Sequence, residues 1–572
     1  MKYFKHTTQK LRIGIFFALV FLFFCLMIFR LFEIQVLRNS YYLTLAKSQH
    51  WMTRKIPAKR GEIYSKDFKT NEKYVLATNK ELNMVYAVPR QLKDKKEPAF
   101  KLASILSMDE NEIFNSLNND KVYVPIKHKL TNDEVSKIEQ LGITGIMLQP
   151  EDWREYPEGE LASQVLGFVN NEGVGQYGIE GYLDEKLKGK PGEVTLERDT
   201  GGRPITVGER KENPASDGQD VVLTIDRVIQ DFAERELKTA IEKFGAKGGN
   251  VIVMNPENGD IWAMANYPTF DPNKFNETKD IEVFKNTSIT HIYEPGSIFK
   301  IITMSAGIDS GKVLPTTTYV DPGSITIGSY TIKNSDGKTH GKKTMTEVLE
   351  ESLNTGAFFV KEQMGNETFL NYIKKFGFGQ KTGIQLNGEA ESALKSFKSW
   401  RDINFATVTF GQGIAVTPLQ FVTAAATIAN GGTLVKPNII AEYVMPDGSR
   451  VKTQKEVKDT VIKKETANMV GAMMVSVVEK GHGKAAKIPG FRVAGKTGTA
   501  EIPSKDGKGY ETGKNIGSFV LFVPAENAKF IVLVKIDEPK GVQWAESTAA
   551  PVAGSIAKKI LNYLEVPPTA SQ

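Results

Sequence analysis

Tyr293-Glu294-Pro295-Gly296-Ser297-Ile298-Phe299-Lys300 (YEPGSIFK) runs directly into the apolar segment Ile301-Ile302-Thr303-Met304-Ser305-Ala306-Gly307-Ile308. A Pro-Gly turn and a serine ahead of an apolar run form a helix-start pattern, in which the serine caps N–H groups left open in the first turn. Lys300 then falls one turn into a helix that is apolar on nearly every side, where an ammonium without a partner is costly. Two readings are open at this point. Either Ser297 is a cap and Lys300 bends out to water, or the two, at i and i+3 on one helix face, are a nucleophile and a lysine that burial turns into its base.

Two further stretches bear on the choice. Ser352-Leu353-Asn354 sits in VLEESLNTGAFFV, read as part of a helix over Met345 to Gln363, and Lys496-Thr497-Gly498 follows the strand-like Phe491-Arg492-Val493-Ala494-Gly495. Singly, these are polar groups of a helix and an edge strand. In the order S-x-x-K, S-x-N, K-T-G they form the pattern of penicillin-binding proteins and serine β-lactamases.

The rest of the chain sets the frame. Its 572 residues exceed one ordinary domain, and 73 Lys+Arg against 67 Asp+Glu leave a net charge of +6 without long like-charge blocks. That balance does not mark a nucleic-acid binder. Ile13 to Phe29 carry no charged side chain and, with Leu31 and Phe32 around Arg30, approach the length of a bilayer span. No small-residue cleavage pattern follows, so an uncleaved anchor is expected. Lys2, Lys5, Lys10 and Arg12 ahead of it place the N-terminus in the cytoplasm and the remainder outside. The only cysteine, Cys25, lies within that anchor, and the histidines beyond it (His50, His128, His291, His340 and His482) show no zinc spacing. A metal site is not expected.

Composition suggests a cytoplasmic tail over 1–12, the anchor over 13–32 and an elongated α+β pedestal over 33–215. A turn-rich linker around Lys211 to Gly218 then leads to a main domain over 216–565, with a short tail over 566–572. In the main domain a hairpin (Asn250 to Met254, Asp260 to Ala265) and two late strands (Phe519 to Val523, Phe530 to Ile536) flank a helical stretch. An α/β sandwich whose sheet assembles from distant parts is expected.

Over nearly its whole length the chain resembles the class B, monofunctional penicillin-binding proteins. E-P-G-S-x-F-K appears here as Glu294 to Lys300, and G-x-G-x-x-V-T-P-L-Q as Gly411 to Gln420. In the pedestal, R-G-x-I is Arg60 to Ile63, R-x-Y-P is Arg154 to Pro157, and the G-x-E box is Gly178, Glu180, Leu187 and Gly189. R-D-x-x-G-R is Arg198, Asp199, Gly202 and Arg203. The first box departs from the family at Ser65 and Lys66-Asp67-Phe68, so its turn need not be the usual one.

The resemblance implies a penicillin-binding transpeptidase sandwich, serine β-lactamase-like, on an α+β pedestal behind one transmembrane helix. It implies a peptidoglycan D,D-transpeptidase in which Ser297 attacks the penultimate D-Ala carbonyl of a stem peptide ending in D-Ala-D-Ala. Lys300 is then the base, Ser352 relays a proton to the leaving D-Ala, Asn354 binds the substrate amide and Lys496 supplies positive charge. Thr497 and Thr499, with Gly498 between them, suit the donor carboxylate, and backbone N–H groups of Ser297 and Thr499 form the oxyanion hole. β-Lactams acylate Ser297 in this reading. No cofactor is implied. The partners implied are stem peptides, a membrane glycosyltransferase and division proteins, with the division and sporulation branch the nearer match.

Other readings leave marks to look for. Glu367-Thr368-Phe369-Leu370-Asn371 reproduces an E-x-x-L-N string of deacylating β-lactamases, and His291 is a conceivable second base for Ser297. Elongation-type transpeptidases and D,D-carboxypeptidases share the trio. A glycosyltransferase motif is not seen in 33–215. A β-lactam sensor would need a cytoplasmic signalling domain, and a scaffold would not need the trio at all. The Gly- and Lys-rich stretch Glu501 to Asn515 is expected to be a mobile loop at the rim of the site.

Overall fold

The structure is a computed structural model that describes residues 2–43, 51–119, 121–197, 205, 210–391, 400–504, 509–542 and 544–569. Contacts divide the chain into two units, Met1–Lys59 with Lys188–Gly218, and Arg60–Leu187 with Gln219–Gln572. In the first unit α1 (Lys2–Phe32) overlaps a helical run, Gln9–Leu37, that is long and apolar enough to cross a membrane and is not buried in the protein. The same unit holds a three-stranded antiparallel sheet of Trp51–Ile56, Gly192–Glu197 and Arg210–Asn213. The R-D-x-x-G-R box lies outside the described residues.

The second unit begins with β1 (Ile63–Lys66) and β2 (Lys73–Ala87), an antiparallel pair. Their turn is closed by Asp67, whose carboxylate accepts from the N–H groups of Lys69 at 2.9 Å and Thr70 at 2.8 Å. A local Asx-type turn thus forms at the box that departs from the family pattern. β3 (Val124–Leu130) and β4 (Ile146–Glu155) both pair with β2. Helices α2 (Lys96–Leu106), α3 (Glu110–Leu117) and α4 (Asn132–Leu141) close a small core around Val85, Leu102, Ile113 and Ile138. β5 (Asp220–Asp226) then pairs in parallel with β1, Val221 opposite Ile63.

Three pedestal motifs meet at one buried carboxylate. Glu180 accepts from Arg60 Nε at 2.8 Å, from Arg154 Nε at 2.6 Å and from the Tyr156 hydroxyl at 3.4 Å, and its side chain is fully buried. A charge without solvent is tolerated when charged donors surround it in this way.

Beyond α5 (Arg227–Phe244) the chain lays down β6 (Gly248–Met254) and β7 (Ile261–Tyr267), and then α6 (Lys300–Asp309). Four short strands follow: β8 (Thr318–Asp321), β9 (Ser324–Ile327), β10 (Tyr330–Lys333) and β11 (Gly341–Thr344). β9 pairs with β10, and β8 with β11. Next come α7 (Met345–Glu350), α8 (Asn354–Lys375), α9 (Asp402–Val408) and α10 (Pro418–Ala429). α10 starts at a capping box: the Thr417 hydroxyl accepts from Gln420 N–H at 3.1 Å and the Gln420 side chain accepts from Thr417 N–H at 3.0 Å. β12 (Ile440–Val444) and β13 (Arg450–Lys452) return to the first sheet beside β5. α11 (Lys464–Glu479), β14 (Ala494–Pro503), β15 (Tyr510–Val523), β16 (Phe530–Asp537) and α12 (Ala549–Tyr563) complete the unit.

The central sheet has five strands in the order β7-β6-β16-β15-β14, so strands from both ends of this region interleave as expected. Alternation along the strands separates two cores. Ile252, Met264, Phe522 and Leu533 pack with Ile301, Leu419 and Val470 on one face; Val251, Ala263, Leu521 and Val532 pack with Ile229, Leu237 and Ile560 on the other. The sandwich therefore carries α6, α10 and α11 on one side of the sheet and α5 and α12 on the other.

Candidate active site

Ser297 lies in a 3-10 turn, Gly296–Phe299, that runs into α6 and has Pro295 as its cap residue, with no side-chain capping bond. The serine is therefore not the helix cap that the sequence suggests. The left-handed Gly296 (φ 60°) tightens the entry into a turn, and Ser297 is left half-buried while Ile298 and Phe299 are buried. The turn is pinned from the G-Q-G stretch: Gly296 N–H donates to Gly411 O at 3.1 Å. A Cβ on Gly411 would lie 2.2 Å from Gly296 O, so only glycine permits this approach.

Lys300 is 1 % exposed. Its Nζ donates to the carbonyl of Ser352 and to Ser352 Oγ, the latter at 3.2 Å. Lys496, wholly buried on β14, donates to the same Ser352 Oγ at 3.0 Å, to Thr497 O at 3.0 Å and to Thr497 Oγ1 at 3.3 Å. Burial, and then the charge of Lys496, hold Lys300 well below the usual lysine range. Burial pushes Lys496 down to about 7, partly opposed by the carboxylate of Glu546.

Ser352 is not inside a helix. It occupies the joint between α7 and α8, in the left-handed region with φ 55°. α7 starts at a Thr344–Glu347 capping box and ends at Glu350 with Glu351 as its C-cap, and the chain must reverse its handedness for one residue before α8 begins. A non-glycine residue pays of order 1 kcal/mol for that conformation. Asn354, in the first turn of α8, donates through Nδ2 to Lys333 O at 2.8 Å.

Gly498 has a steric reason of its own. A Cβ there would lie 2.7 Å from Ser518 Oγ and 2.8 Å from Pro295 O, so the glycine lets β14 run against the nucleophile's turn. Thr499 lies one residue further on, and its hydroxyl accepts from Ala545 N–H at 3.2 Å.

Ser297, Asn354 and Thr499 line one cavity of about 1070 Å³, with walls from β10, from the start of α9 and from β15. Lys300 and Lys496 lie buried and reach Ser352. Every residue singled out from the S-x-x-K, S-x-N and K-T-G patterns is thus in one neighbourhood. His291 lines a separate cavity of about 470 Å³ with Asn286 and Thr290. Glu367 is exposed on α8 and does not line the cavity of Ser297. The stretch Glu501 to Asn515 does reach the rim, but outside 505–508 it is mostly paired strand, with Glu501 opposite Asn515 and Pro503 opposite Tyr510. Its Gly and Lys content suggested a loop; among its described residues the ladder of β14 and β15 continues instead.

Sequence reasoning missed Glu294 as a tie. Its carboxylate accepts from Gly413 N–H at 3.0 Å and from the Tyr510 hydroxyl at 3.2 Å, joining the nucleophile's segment to the G-Q-G stretch and to β15. Burial raises its pKa above the usual carboxylate range.

Comparison with known proteins finds relatives over most of the chain. The family described as penicillin binding protein transpeptidase domain matches residues 249–562, and the penicillin-binding protein dimerisation domain matches residues 55–223. Stage V sporulation protein D of Bacillus subtilis is 35% identical over 551 residues, covering 95% of this chain and 84% of that protein. Penicillin-binding protein PbpB of Mycolicibacterium smegmatis is 31% identical, covering 94% of this chain and 88% of that protein. Among solved structures, penicillin binding protein 3 from Mycobacterium tuberculosis complexed with aztreonam superposes with a TM-score of 0.71 at 27% identity, over 90% of this chain and 98% of that one. Penicillin binding protein 2X from Streptococcus thermophilus superposes with a TM-score of 0.74 at 25% identity, over 90% and 81%.

Proposed function

The chain belongs to the class B penicillin-binding proteins, and from that membership we propose that it is a serine D,D-transpeptidase that cross-links peptidoglycan stem peptides. The observation that carries the reading is the convergence of Lys300 and Lys496 on Ser352 Oγ beside the cavity of Ser297.

A neutral Lys300 amine donates its two N–H groups to Ser352 O and Oγ, which leaves its lone pair to take the Ser297 proton. Ser297 Oγ attacks the penultimate D-Ala carbonyl, and the oxyanion forms against the N–H groups of Ser297 and Thr499. The C–N bond then breaks, the terminal D-Ala leaves with a proton passed through Ser352, and the peptide remains as an ester on Ser297. Asn354 holds the substrate amide, and Lys496 with Thr497, Gly498 and Thr499 receives the donor's carboxylate. An acceptor amine attacks the ester, gives up a proton by the same route and forms the cross-link. A β-lactam enters as a substrate mimic whose ester persists.

The N-terminal apolar helix fits a membrane anchor. The basic residues ahead of it support a cytoplasmic N-terminus with the catalytic region outside the membrane, and we take 33–215 as pedestal and 216–565 as transpeptidase. The name of one relative, Stage V sporulation protein D, supports a part in sporulation, and from the family resemblance we propose work at a septum beside a membrane glycosyltransferase.

Labelling of the intact protein with a fluorescent penicillin tests the chemistry. Labelling is expected and Ser297→Ala abolishes it; an unlabelled intact protein, or labelling that survives the substitution, refutes the acyl-enzyme. A tagged chain placed along the sidewall instead of the septum would refute the septal role.

A further inference from the structure

We propose that Asp321 and Asn334 are positioning residues for acyl transfer: an amide–carboxylate pair that caps α8 from a separate segment and so fixes Ser352 and Asn354 at the cavity. This rests on the transpeptidase reading above.

A helix leaves its first N–H groups without partners, and a side chain at the cap position ordinarily answers them. At α8 the cap position is Leu353, which has no acceptor and is 1 % exposed in the main core. With Ser352 and Asn354 on either side serving the site, Leu353 is the anchor that holds the joint down. The missing cap comes from Asn334, 4 % exposed, just beyond β10. Its Oδ1 accepts from Asn354 N–H at 3.0 Å and from Thr355 N–H at 3.3 Å.

Asp321 sets the orientation of that amide. Asn334 Nδ2 donates to its two carboxylate oxygens at 3.1 and 2.9 Å, and to Lys338 O at 3.3 Å, so Oδ1 is turned toward the helix. Asp321 is 1 % exposed and also accepts from Gly323 N–H at 3.0 Å, His340 N–H at 2.8 Å and Thr355 Oγ1 at 2.6 Å. Burial alone would raise its pKa, but these donors hold it below the usual range, so it stays an anion near the positive end of α8.

The same segment meets the site a second time. Lys333, next to Asn334, takes the Asn354 side-chain amide on its carbonyl, and Tyr330 to Asn334 line the cavity of Ser297. Ile332 packs on Ala406 and Phe410, which seats this wall against α9. One stretch of chain therefore holds both the backbone and the side chain of Asn354. A shift of α8 would carry Ser352 away from Lys300 and Lys496.

The test uses the full-length protein, a fluorescent penicillin and three variants: Asn334→Asp, Asp321→Asn and the double exchange. Acylation is resolved into the binding constant Ks and the rate constant k2, and Tm is measured alongside. Asn334→Asp sets carboxylate against carboxylate and should lower k2 by at least about tenfold, because small displacements of catalytic groups weigh heavily on rate. The double exchange restores an amide facing a carboxylate and leaves acceptors toward the N–H groups of α8, but it opposes an amide nitrogen to His340 N–H and a carboxylate to Lys338 O, so k2 should recover at least about threefold over Asn334→Asp without reaching the original. If Asn334→Asp does not fold, Asn334→Ser removes the cap without adding charge and should lower k2 in the same direction. A lowered Tm with unchanged k2, or a double exchange no faster than Asn334→Asp, would overturn the proposal while leaving the transpeptidase reading intact. Failure of the unsubstituted protein to label would overturn both.

Discussion

Lys300 and Lys496 donate to a single atom, Ser352 Oγ, from 3.2 and 3.0 Å. A hydroxyl accepts two hydrogen bonds and donates one, so with both acceptor positions engaged its proton is directed elsewhere. Two buried amines beside one oxygen also cannot both carry charge without mutual repulsion.

The pH dependence of acylation follows from that pair. Lys300 works only after losing its proton, and Lys496 attracts a carboxylate only while keeping its own. Both are pulled below the usual lysine range, Lys496 to about 7. The second-order rate of acylation should therefore be bell-shaped, rising as Lys300 deprotonates and falling as Lys496 does. A rate that keeps rising through pH 10 would contradict the roles given to the pair.

Stability should depend on pH through the same groups. Lys496 has a lower pKa in the folded chain than in the unfolded one, so between about 7 and the ordinary lysine range the unfolded chain binds a proton that the folded chain lacks. Stability then rises with pH across that window, by at most about 1.4 kcal/mol per pH unit for one group, and is lost as pH falls through about 7. Lys496→Met should flatten the slope of Tm against pH over that window.

Lys300→Arg keeps a cation at the site but cannot be deprotonated. Acylation should fall by about 10²–10⁴-fold, the span of general-base contributions. A rate within tenfold of the original would make Lys300 a structural cation.

Gly498→Ala places a methyl 2.7 Å from Ser518 Oγ and 2.8 Å from Pro295 O. It should push β14 off the Gly296–Phe299 turn, cost about 1–3 kcal/mol of stability and slow acylation at least tenfold. Denaturant melts and penicillin labelling of one preparation measure both.

Glu180→Ala removes the common partner of Arg60 and Arg154 in the pedestal core. Leaving those guanidinium groups without it should destabilise the protein by about 3–5 kcal/mol. Labelling per folded molecule should be unchanged, because Glu180 does not line the cavity of Ser297.

The chemistry was legible in the sequence because it is written in short strings whose side chains need particular neighbours: Ser297 with Lys300, Ser352 with Asn354, Lys496 with Gly498. The sheet was legible from strands of alternating cores at 250–265 and 519–536. The backbone at Ser352 was not. VLEESLNTGAFFV carries no Gly or Pro at the break, and the left-handed serine is imposed by Leu353 in the core and by Asn334 from outside. Ser297 looked like a cap because a 3-10 turn and a capped helix begin with similar residues. Asp321 and Asn334 gave no sign, since their meaning depends on contacts across 13 to 34 positions.

The parallel pairing of β1 with β5 bears on how the protein is made. β1 finds β2 at once, but its other edge waits for β5, and β5 in turn waits for β12, more than two hundred residues later. Until then a growing chain shows an open strand edge of the kind that recruits a second chain. A version cut between residues 215 and 216 would keep that edge open permanently, on β5 of one piece and β1 of the other. Aggregation on refolding, not absence of the catalytic groups, is the failure such a fragment should show.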